Sequence, residues 1–325
     1  MKHITILVPD GSNNLSSIVG AYKIFTRAYS HWQFKGGKTA FKIQLAGISD
    51  EVDFYGGLFT VRPHVHIKSV TDTHLVIIPS LNHNYDKAVK DNGEIINWIE
   101  HQYKNGAEIA SVCTGAYLLA SAGILDGKSC STHWMAADNF RSRFPKVHLQ
   151  PDKLITDENG IYTNGGAYSF LNLIIYLVEK YFDRETAIYC SKVFQIGMDR
   201  NSQSEFIIFK GQKEHGDTLV AEAQAFMEEN YRDRISVEEL SSRFSIVRRQ
   251  FDRRFIKATG NTPLEYLQRL KMESAKRAFE TSRRTINEVM YDVGYQDMKA
   301  FREVFRKITG LSPLEYRTKY NREAV

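Results

Sequence analysis

The sequence has few of the residues that tie small secreted domains together or anchor a chain in a membrane. Its 325 residues include three cysteines and seven prolines. Cys113, Cys130 and Cys190 form no C-x-x-C pair, so the sequence indicates neither a disulfide scaffold nor a zinc site. The apolar run 170–178 is interrupted by Asn172 and is too short to span a bilayer. The start of the chain lacks the apolar stretch and cleavage site of a signal peptide. We therefore expect a cytoplasmic protein without a metal site, a cofactor or a membrane contact.

Acidic residues are outnumbered only towards the C-terminal end. Residues 245–325 contain 18 Lys and Arg against 10 Asp and Glu, and the rest of the chain contains 25 against 28. The formal charge of +5 is therefore concentrated at one end of the chain. Such a concentration is typical of a surface that binds nucleic acid. On charge alone, an ordinary solvated surface explains the asymmetry equally well.

Hydrophobic patterning divides the chain into two parts. Short apolar runs suited to buried strands alternate with stretches of helical spacing in the first part, and they predict strands at 4–8, 41–46, 75–79 and 108–112. Helices are expected at 170–180 and 185–195. This alternation predicts a layered α/β domain with a mostly parallel, flavodoxin-like sheet over residues 1–209. Residues 210–218 lack large apolar side chains and predict a linker, and 219–325 predict an all-α domain.

An internal repeat dominates the second part. The segments FDRRF at 251–255 and TGNTPLEY at 259–266 return, closely matched, as FREVF at 301–305 and TGLSPLEY at 309–316. In each copy a glycine follows the helix as a C-cap, and a hydroxyl residue followed by proline opens the next helix. Each copy is preceded by a shorter helix, which in the first copy begins at Ser236 with a capping box. The repeat therefore predicts two helix-turn-helix units.

The second helix of each unit has an apolar inner stripe and a charged outer face. Phe251 and Phe255 are spaced i,i+4 and predict the buried side, while Arg249 and Arg253 point outward. Helices of this kind suit the major groove, because donors for phosphates and base edges lie on the exposed face.

These motifs resemble the DNA-binding region of the AraC/XylS family over residues 219–325. The resemblance implies recognition helices near 247–257 and 298–307, joined by a long helix at 264–281. It places base-facing candidates at Arg248, Arg249, Asp252, Arg253, Met298, Lys299, Arg302 and Glu303. Phosphate-contact candidates are Lys257, Arg306 and Lys307. For each residue the alternative is a solvated surface charge.

The first part contains one motif typical of nucleophilic chemistry. An apolar strand leads into Cys113 at a tight turn, and a helix follows directly. This is the form of a nucleophile elbow, in which helix-start amides lower the pKa of a thiol. His133 follows twenty residues later and could pair with the thiol. A buried structural cysteine and an unrelated histidine are the commoner explanation for such spacing.

The run from Cys113 to Trp134, with Asn164-Gly165-Gly166, resembles the DJ/PfpI superfamily, a glutamine-amidotransferase-like fold, over about residues 1–200. It is especially similar to the branch fused to AraC-type domains. Catalytic members of that superfamily carry a glutamate shortly after the first strand, and the corresponding residue here is Ser16. No acidic residue occurs between Gly11 and Ser49. The absence of this acid argues against catalysis, so no catalytic residue is assigned.

We therefore expect a DNA-binding transcription regulator, more often an activator than a repressor, controlled by a small-molecule ligand in a non-catalytic pocket. The residues expected to line that pocket are Asn13, Asn14, Cys113, Thr114, Gly115 and His133. A helix N-terminus and a histidine favour an anionic ligand. The expected partners are double-stranded DNA, an effector, a second copy of the chain and, for an activator, RNA polymerase. A cysteine-dependent hydrolase or glyoxalase-type enzyme and a DNA-compacting protein are the alternatives.

Overall fold

The computed structural model describes residues 1–11, 13–200 and 202–321. The chain divides into two compact units, Met1–Gln203 and Ser204–Val325. The division precedes the predicted linker at 210–218, and that segment packs within the second unit. The side-chain amide of Gln224 donates to the carbonyl oxygen of Gln212, and its Oε1 lies 2.9 Å from Nε2 of His215. A polar composition fits both a solvated linker and a segment that is hydrogen-bonded to polar side chains. Composition alone therefore could not show that this segment is packed.

The first unit is built around a mostly parallel sheet. The described strands of this unit are β1 (Lys2–Val8), β2 (Phe41–Gly47), β3 (Val52–Phe54), β4 (Phe59–Val61), β5 (Val65–His66), β6 (Leu75–Ile78), β7 (Glu108–Val112), β8 (Ser129–Cys130), β9 (His148–Leu149), β10 (Ile155–Glu158) and β11 (Ile161–Asn164). Seven of them form the main sheet in the order β10-β11-β7-β6-β1-β2-β5, and β10 alone in this sheet runs antiparallel to its neighbour. The four strands predicted from apolar runs are confirmed as β1, β2, β6 and β7.

Helices cover both faces of this sheet, as its continuous apolar strands require. Ile4 and Ile6 of β1 pack in a cluster with Phe25 and Leu173, while Leu7 packs in a second cluster with Leu118. The helices are α1 (Leu15–Phe34), α2 (Tyr85–Asp91), α3 (Gly93–Lys104), α4 (Ala116–Ser121), α5 (Ala137–Arg143), α6 (Phe170–Tyr181) and α7 (Arg184–Phe194). The predicted helices at 170–180 and 185–195 are confirmed, and so is the predicted α/β layering.

The described regular elements of the second unit are all helices. They are α8 (Thr218–Asn230), α9 (Val237–Arg243), α10 (Arg248–Thr259), α11 (Pro263–Thr281), α12 (Ile286–Asp292), α13 (Met298–Thr309) and α14 (Pro313–Tyr320). The pairs α9–α10 and α12–α13 form the two predicted helix-turn-helix units. The long helix α11 contributes Tyr266 to the apolar core of the first pair and Phe279 to that of the second. Among the described helices of both units, none is long and apolar enough to cross a membrane.

Helix ends in this unit are specified by local side chains. Among the described residues, α9, α11, α12 and α14 each begin with a complete capping box. In each box a Ser or Thr accepts from the N3 backbone amide, and the N3 glutamate accepts from the cap residue in return. The helices α10 and α13 end at Gly260 and Gly310, both in the left-handed conformation. The cap and stop signals predicted from the repeat are confirmed.

A segment ahead of α8 lies on the long helix α11, and we call residues 204–209 the strap. Glu273 and Lys276 of α11 form an ion pair at 2.9 Å with side chains 11% and 5% exposed. Glu273 accepts from the amide of Phe209 at 3.1 Å, and Lys276 donates to the carbonyl of Ile207. Lys319 of α14 binds Glu205 at 2.5 Å. The strap therefore contacts both α11 and α14, the helix that follows the second helix-turn-helix unit.

Candidate DNA-binding surface and cysteine elbow

The first recognition helix, α10, keeps its apolar stripe inside and its cations outside. Phe251 and Phe255 are fully buried. Arg249 and Arg253 are exposed, and within the described residues their side chains make no hydrogen bond or ion pair. A guanidinium without an internal partner keeps its donors available for phosphate or base-edge acceptors. The outward orientation predicted for both arginines is confirmed, and Lys257 is also exposed near the end of the helix.

Arg248 lies differently from its neighbour Arg249. Its guanidinium binds Glu238 of α9, and its Nε lies 3.8 Å from the carboxylate of Asp252. Two carboxylates therefore compensate its charge, and Asp252 is itself engaged in this pairing. Because Arg248 is paired with the preceding helix and Asp252 with Arg248, both are weaker base-contact candidates than Arg249.

The second recognition helix, α13, repeats the arrangement. Lys299, Arg302, Glu303, Arg306 and Lys307 are all exposed. In the part of the chain that the structure describes, the cations among them form no ion pair within 4.0 Å. The candidate Met298 is half-buried, because its side chain packs on the apolar core around Phe279. It reaches the surface only in part.

Two of these cations lie near the carboxylates of capping boxes. A hydrogen bond from the Thr262 amide lowers the pKa of Glu265, and Lys307 adds to that effect. The Ser312 amide likewise lowers the pKa of Glu315, with a smaller effect from Arg306. The positive charges of Lys307 and Arg306 are therefore partly compensated by these carboxylates.

Sequence reasoning missed two exposed residues of α10. Gln250 is exposed beside Arg249, and its amide could pair with an adenine edge. Ile256 is 44% exposed on the outer face, where an apolar contact to a thymine methyl is possible. Its position outside the Phe251/Phe255 stripe was a signal in the sequence. For Gln250, the only signal in the sequence was its position next to Arg249.

In the first unit, the predicted elbow is present. Strand β7 ends at Val112, residues 113–115 form one 3₁₀ turn, and α4 begins at Ala116. Cys113 has φ of 54°, a left-handed conformation rare for a residue with a side chain. Position 115 requires a glycine, because a Cβ atom there would lie 2.5 Å from the carbonyl oxygen of Pro79. The helix after the elbow has six residues, so its dipole is weak.

The thiol of Cys113 lies in a nearly closed environment. The residue is 3% exposed, and burial raises the pKa of the thiol despite hydrogen bonds from Ser80, Thr114 and the His133 backbone, which lower it. The imidazole of His133 accepts at Nδ1 from the Met135 amide at 3.1 Å, and burial lowers its pKa. Within the described residues, no hydrogen bond joins this ring to the thiol. The two residues therefore meet through the backbone of His133.

The remaining predicted pocket residues meet at the segment Ser80–Leu81. The hydroxyl of Thr114 donates to the carbonyl of Leu81 at 2.6 Å, and the backbone of Asn13 pairs with Leu81. Asn14 caps α1 through a bond from the Ser16 amide. The side-chain oxygen of Asn13 is buried and has no hydrogen-bond partner among the described residues. The structure thus brings Asn13 and Thr114 to one place beside the elbow.

The position of the missing glutamate is occupied by Ser16, whose hydroxyl lies 3.4 Å from that of Tyr168. A serine there supplies no proton acceptor comparable to a carboxylate. In the chain as described, no group of three His, Cys, Asp or Glu side chains is arranged to hold a metal ion.

Comparisons with known proteins agree with this division of the chain. Residues 2–180 match the DJ-1/PfpI family, and residues 240–319 match the helix-turn-helix domain. The HTH-type transcriptional regulator GbdR of Pseudomonas aeruginosa is 27% identical over 225 residues, which are 69% of this chain and 61% of GbdR. The HTH-type transcriptional regulator ArgR of that organism is 25% identical over 66% of this chain and 65% of ArgR. The chain thus spans less than two thirds of the length of either relative.

A solved structure of a THiJ/PfpI family protein from Pseudomonas syringae has a TM-score of 0.51 at 19% identity. It covers 61% of this chain and 76% of that protein. At this identity the likeness concerns the fold alone.

Proposed function

This chain belongs to the DJ-1/PfpI family, and we propose that it is a DNA-binding transcription regulator whose first unit senses a small molecule. The observation that carries the proposal is the pair of recognition helices with outward cations, of which Arg249, Arg253 and Lys299 form no ion pair with any described residue. Helix α11 between them has 19 residues, a length of about 28 Å. Successive major grooves on one face of DNA lie about 34 Å apart. Two helices separated by such a connection suit adjacent grooves.

Catalysis is the less favoured function for the elbow. Its thiol is buried with a raised pKa, the histidine ring makes no described bond to it, and Ser16 stands where an acid is needed. A neutral thiol is a poor nucleophile. We propose instead that Asn13, Asn14, Cys113, Thr114, Gly115 and His133 form the site where an effector acts. The partly exposed His133 and the unpaired oxygen of Asn13 provide polar groups for it.

The same proposal includes the assembly and setting of the protein. We expect a homodimer, since two copies read paired DNA sites with higher specificity than one, and we expect an activator to contact RNA polymerase. Double-stranded DNA and the effector complete the expected partners, in the cytoplasm.

The DNA-binding proposal is tested by selecting a DNA site from a random-sequence pool with the full-length chain. Arg249→Ala and Lys299→Ala are each expected to weaken binding to the selected site by about 1–3 kcal/mol, because each removes a donor to a base edge. Fluorescence anisotropy on selected and scrambled DNA measures the difference. Arg248→Ala is the matched control, because its guanidinium is already paired with Glu238 and Asp252. Equal losses on scrambled DNA would reassign Arg249 and Lys299 to phosphates.

The chemistry of the elbow is tested by alkylation. At pH 8, Cys113 is expected to react with iodoacetamide at least tenfold more slowly than a free cysteine, because burial raises its pKa and shields it. Mass spectrometry of the Cys113 peptide follows the reaction. The alkylation rate should increase as the pH is raised above 8. Cys113→Ser should retain binding to the selected DNA. Rapid alkylation near neutral pH, or substrate turnover lost in Cys113→Ser, would favour the enzyme.

A further inference from the structure

The last residue of the first unit, Gln203, is held in a socket of backbone carbonyls. The residue is 1% exposed. The amide nitrogen donates to the carbonyl oxygens of Thr132 at 3.0 Å and Pro151 at 2.6 Å, and it lies 3.4 Å from that of Lys153. Its backbone amide also donates to the carbonyl of Asp152 at 3.0 Å. A buried amide bound at this many points is fixed in position.

The socket is shaped for this side chain. A Cβ atom at Gly165 would lie 2.1 Å from the amide nitrogen of Gln203 and 2.6 Å from the hydroxyl of Ser131. Both distances are far below van der Waals contact, so a larger residue at position 165 would displace Gln203. The absence of a side chain at Gly165 therefore makes room for the glutamine.

One residue joins this socket to the elbow. The hydroxyl of Thr132 donates to the carbonyl oxygen of Cys113 at 3.0 Å, while the carbonyl of Thr132 accepts from Gln203. Thr132 is fully buried and directly precedes His133. A change at the elbow that moves the Cys113 carbonyl therefore moves the group that holds Gln203.

On the other side of Gln203, the strap of the second unit begins at the next residue, Ser204. Ser204 alone separates Gln203 from Glu205, which binds Lys319. Two and four residues after Glu205, Ile207 and Phe209 of the strap are bound to Lys276 and Glu273 of α11. A displacement of Gln203 is therefore either absorbed at Ser204 or passed to Glu205 and the rest of the strap.

We propose that Gln203 is a positioning residue that couples the state of the Cys113 elbow, through Thr132, to the strap on the DNA-binding unit. The coupling rests on the proposed function and deepens it by naming the route of regulation. Because coupling between sites is reciprocal, DNA binding alters the elbow as much as an event at the elbow alters DNA binding.

A double-mutant cycle on the full-length chain tests this coupling. Kd for the DNA selected by the wild type is measured for Thr132→Val, which removes the bond to Cys113 at similar volume, for Gln203→Ala, and for both together. We expect each single change to shift Kd at least threefold, and the double variant to shift it no further than the larger single effect. Additive effects, or no shift in any variant, overturn the proposal.

Gln102→Ala is the matched control. Gln102 is also 1% exposed, and its amide donates to the carbonyls of Val70 and Thr71 at 3.3 and 3.2 Å, away from the elbow. It should leave Kd within twofold and should combine additively with Thr132→Val. If Gln102→Ala acts as Gln203→Ala does, the effect is a general loss of packing and the proposal is wrong.

Hydrogen exchange of the wild type supplies a readout that needs no variant to fold. Binding of the selected DNA should change exchange at amides 113–115 and 131–133, and scrambled DNA should not. Unchanged exchange at these amides overturns the coupling. If the wild type selects no DNA sequence at all, the proposed function itself fails. If it selects one and the cycle is additive, the coupling alone fails.

Discussion

Replacing Gly294 with alanine is expected to destabilise the second unit by about 2–5 kcal/mol. Gly294 forms the turn of the second helix-turn-helix unit with φ of 77°, and an added Cβ would lie 2.0 Å from the carbonyl oxygen of Arg232. The left-handed backbone costs an alanine about 1–2 kcal/mol. Overlap with fixed backbone adds about 1–3 kcal/mol. Urea unfolding of the full-length chain, followed by circular dichroism at a helix wavelength, measures the loss.

Gly310→Ala separates these two contributions. Gly310 has a similar φ of 79°, but a Cβ there would meet no atom within 4 Å. Its replacement should therefore cost only the backbone contribution of about 1–2 kcal/mol. Equal losses in the two variants would mean that the loop at Arg232 moves aside freely. The turn would then not be fixed by that contact.

Lys276→Met is expected to cost about 3–5 kcal/mol, the usual loss when one partner of a buried ion pair is removed. The change removes the cation 2.9 Å from the carboxylate of Glu273, which keeps, among the described residues, only the exposed Arg277 at 3.8 Å, and it leaves the carbonyl of Ile207 without its donor. Methionine keeps most of the side-chain volume, so the loss reports the missing charge and hydrogen bonds. The free energy of unfolding of the second unit, from the same urea titration, measures it.

Lys271→Met is the matched control on the same helix. Lys271 is also buried, and burial lowers its pKa, but it donates to the Asp233 carbonyl and has no described ion pair. Its replacement should cost about 1 kcal/mol, as for one hydrogen bond. If the two variants lose the same stability, the Glu273–Lys276 pair has no special part in holding the strap. The double change Glu273→Leu with Lys276→Met should recover part of the loss, because no uncompensated charge remains.

The fold was largely predictable because its signals are local. Continuous apolar runs marked the central strands β1, β2, β6 and β7, and the caps and glycines of the repeat marked the helices of the second unit. The short pairs β3–β4 and β8–β9 and the antiparallel β10 were not predicted, because two to four residues give too little periodicity. The sequence predicted that the first unit ends at residue 209, whereas in the structure it ends at Gln203. No local sequence signal shows that the residues after Gln203 pack on α11.

The sites were predictable only in part, for a related reason. Spacing along α10 oriented Arg249 and Arg253 correctly, because a helix fixes the direction of each side chain. It could not show that Glu238, on another helix, binds Arg248. At the elbow the turn itself followed from the sequence. The burial of the thiol and the bond from Thr132 to Cys113 depend on distant segments, and so does the socket of Gln203.

The local capping of α9, α11, α12 and α14 has a consequence for how the protein forms. Each of these helix starts is completed within four residues, whereas the central strand β1 must find β6, more than seventy residues away. Domains rich in short-range contacts fold faster than those with long-range pairings. The second unit should therefore reach its native state first on refolding, although it is synthesised after the first unit. During synthesis, the α/β unit can complete its sheet while the second unit is still being made.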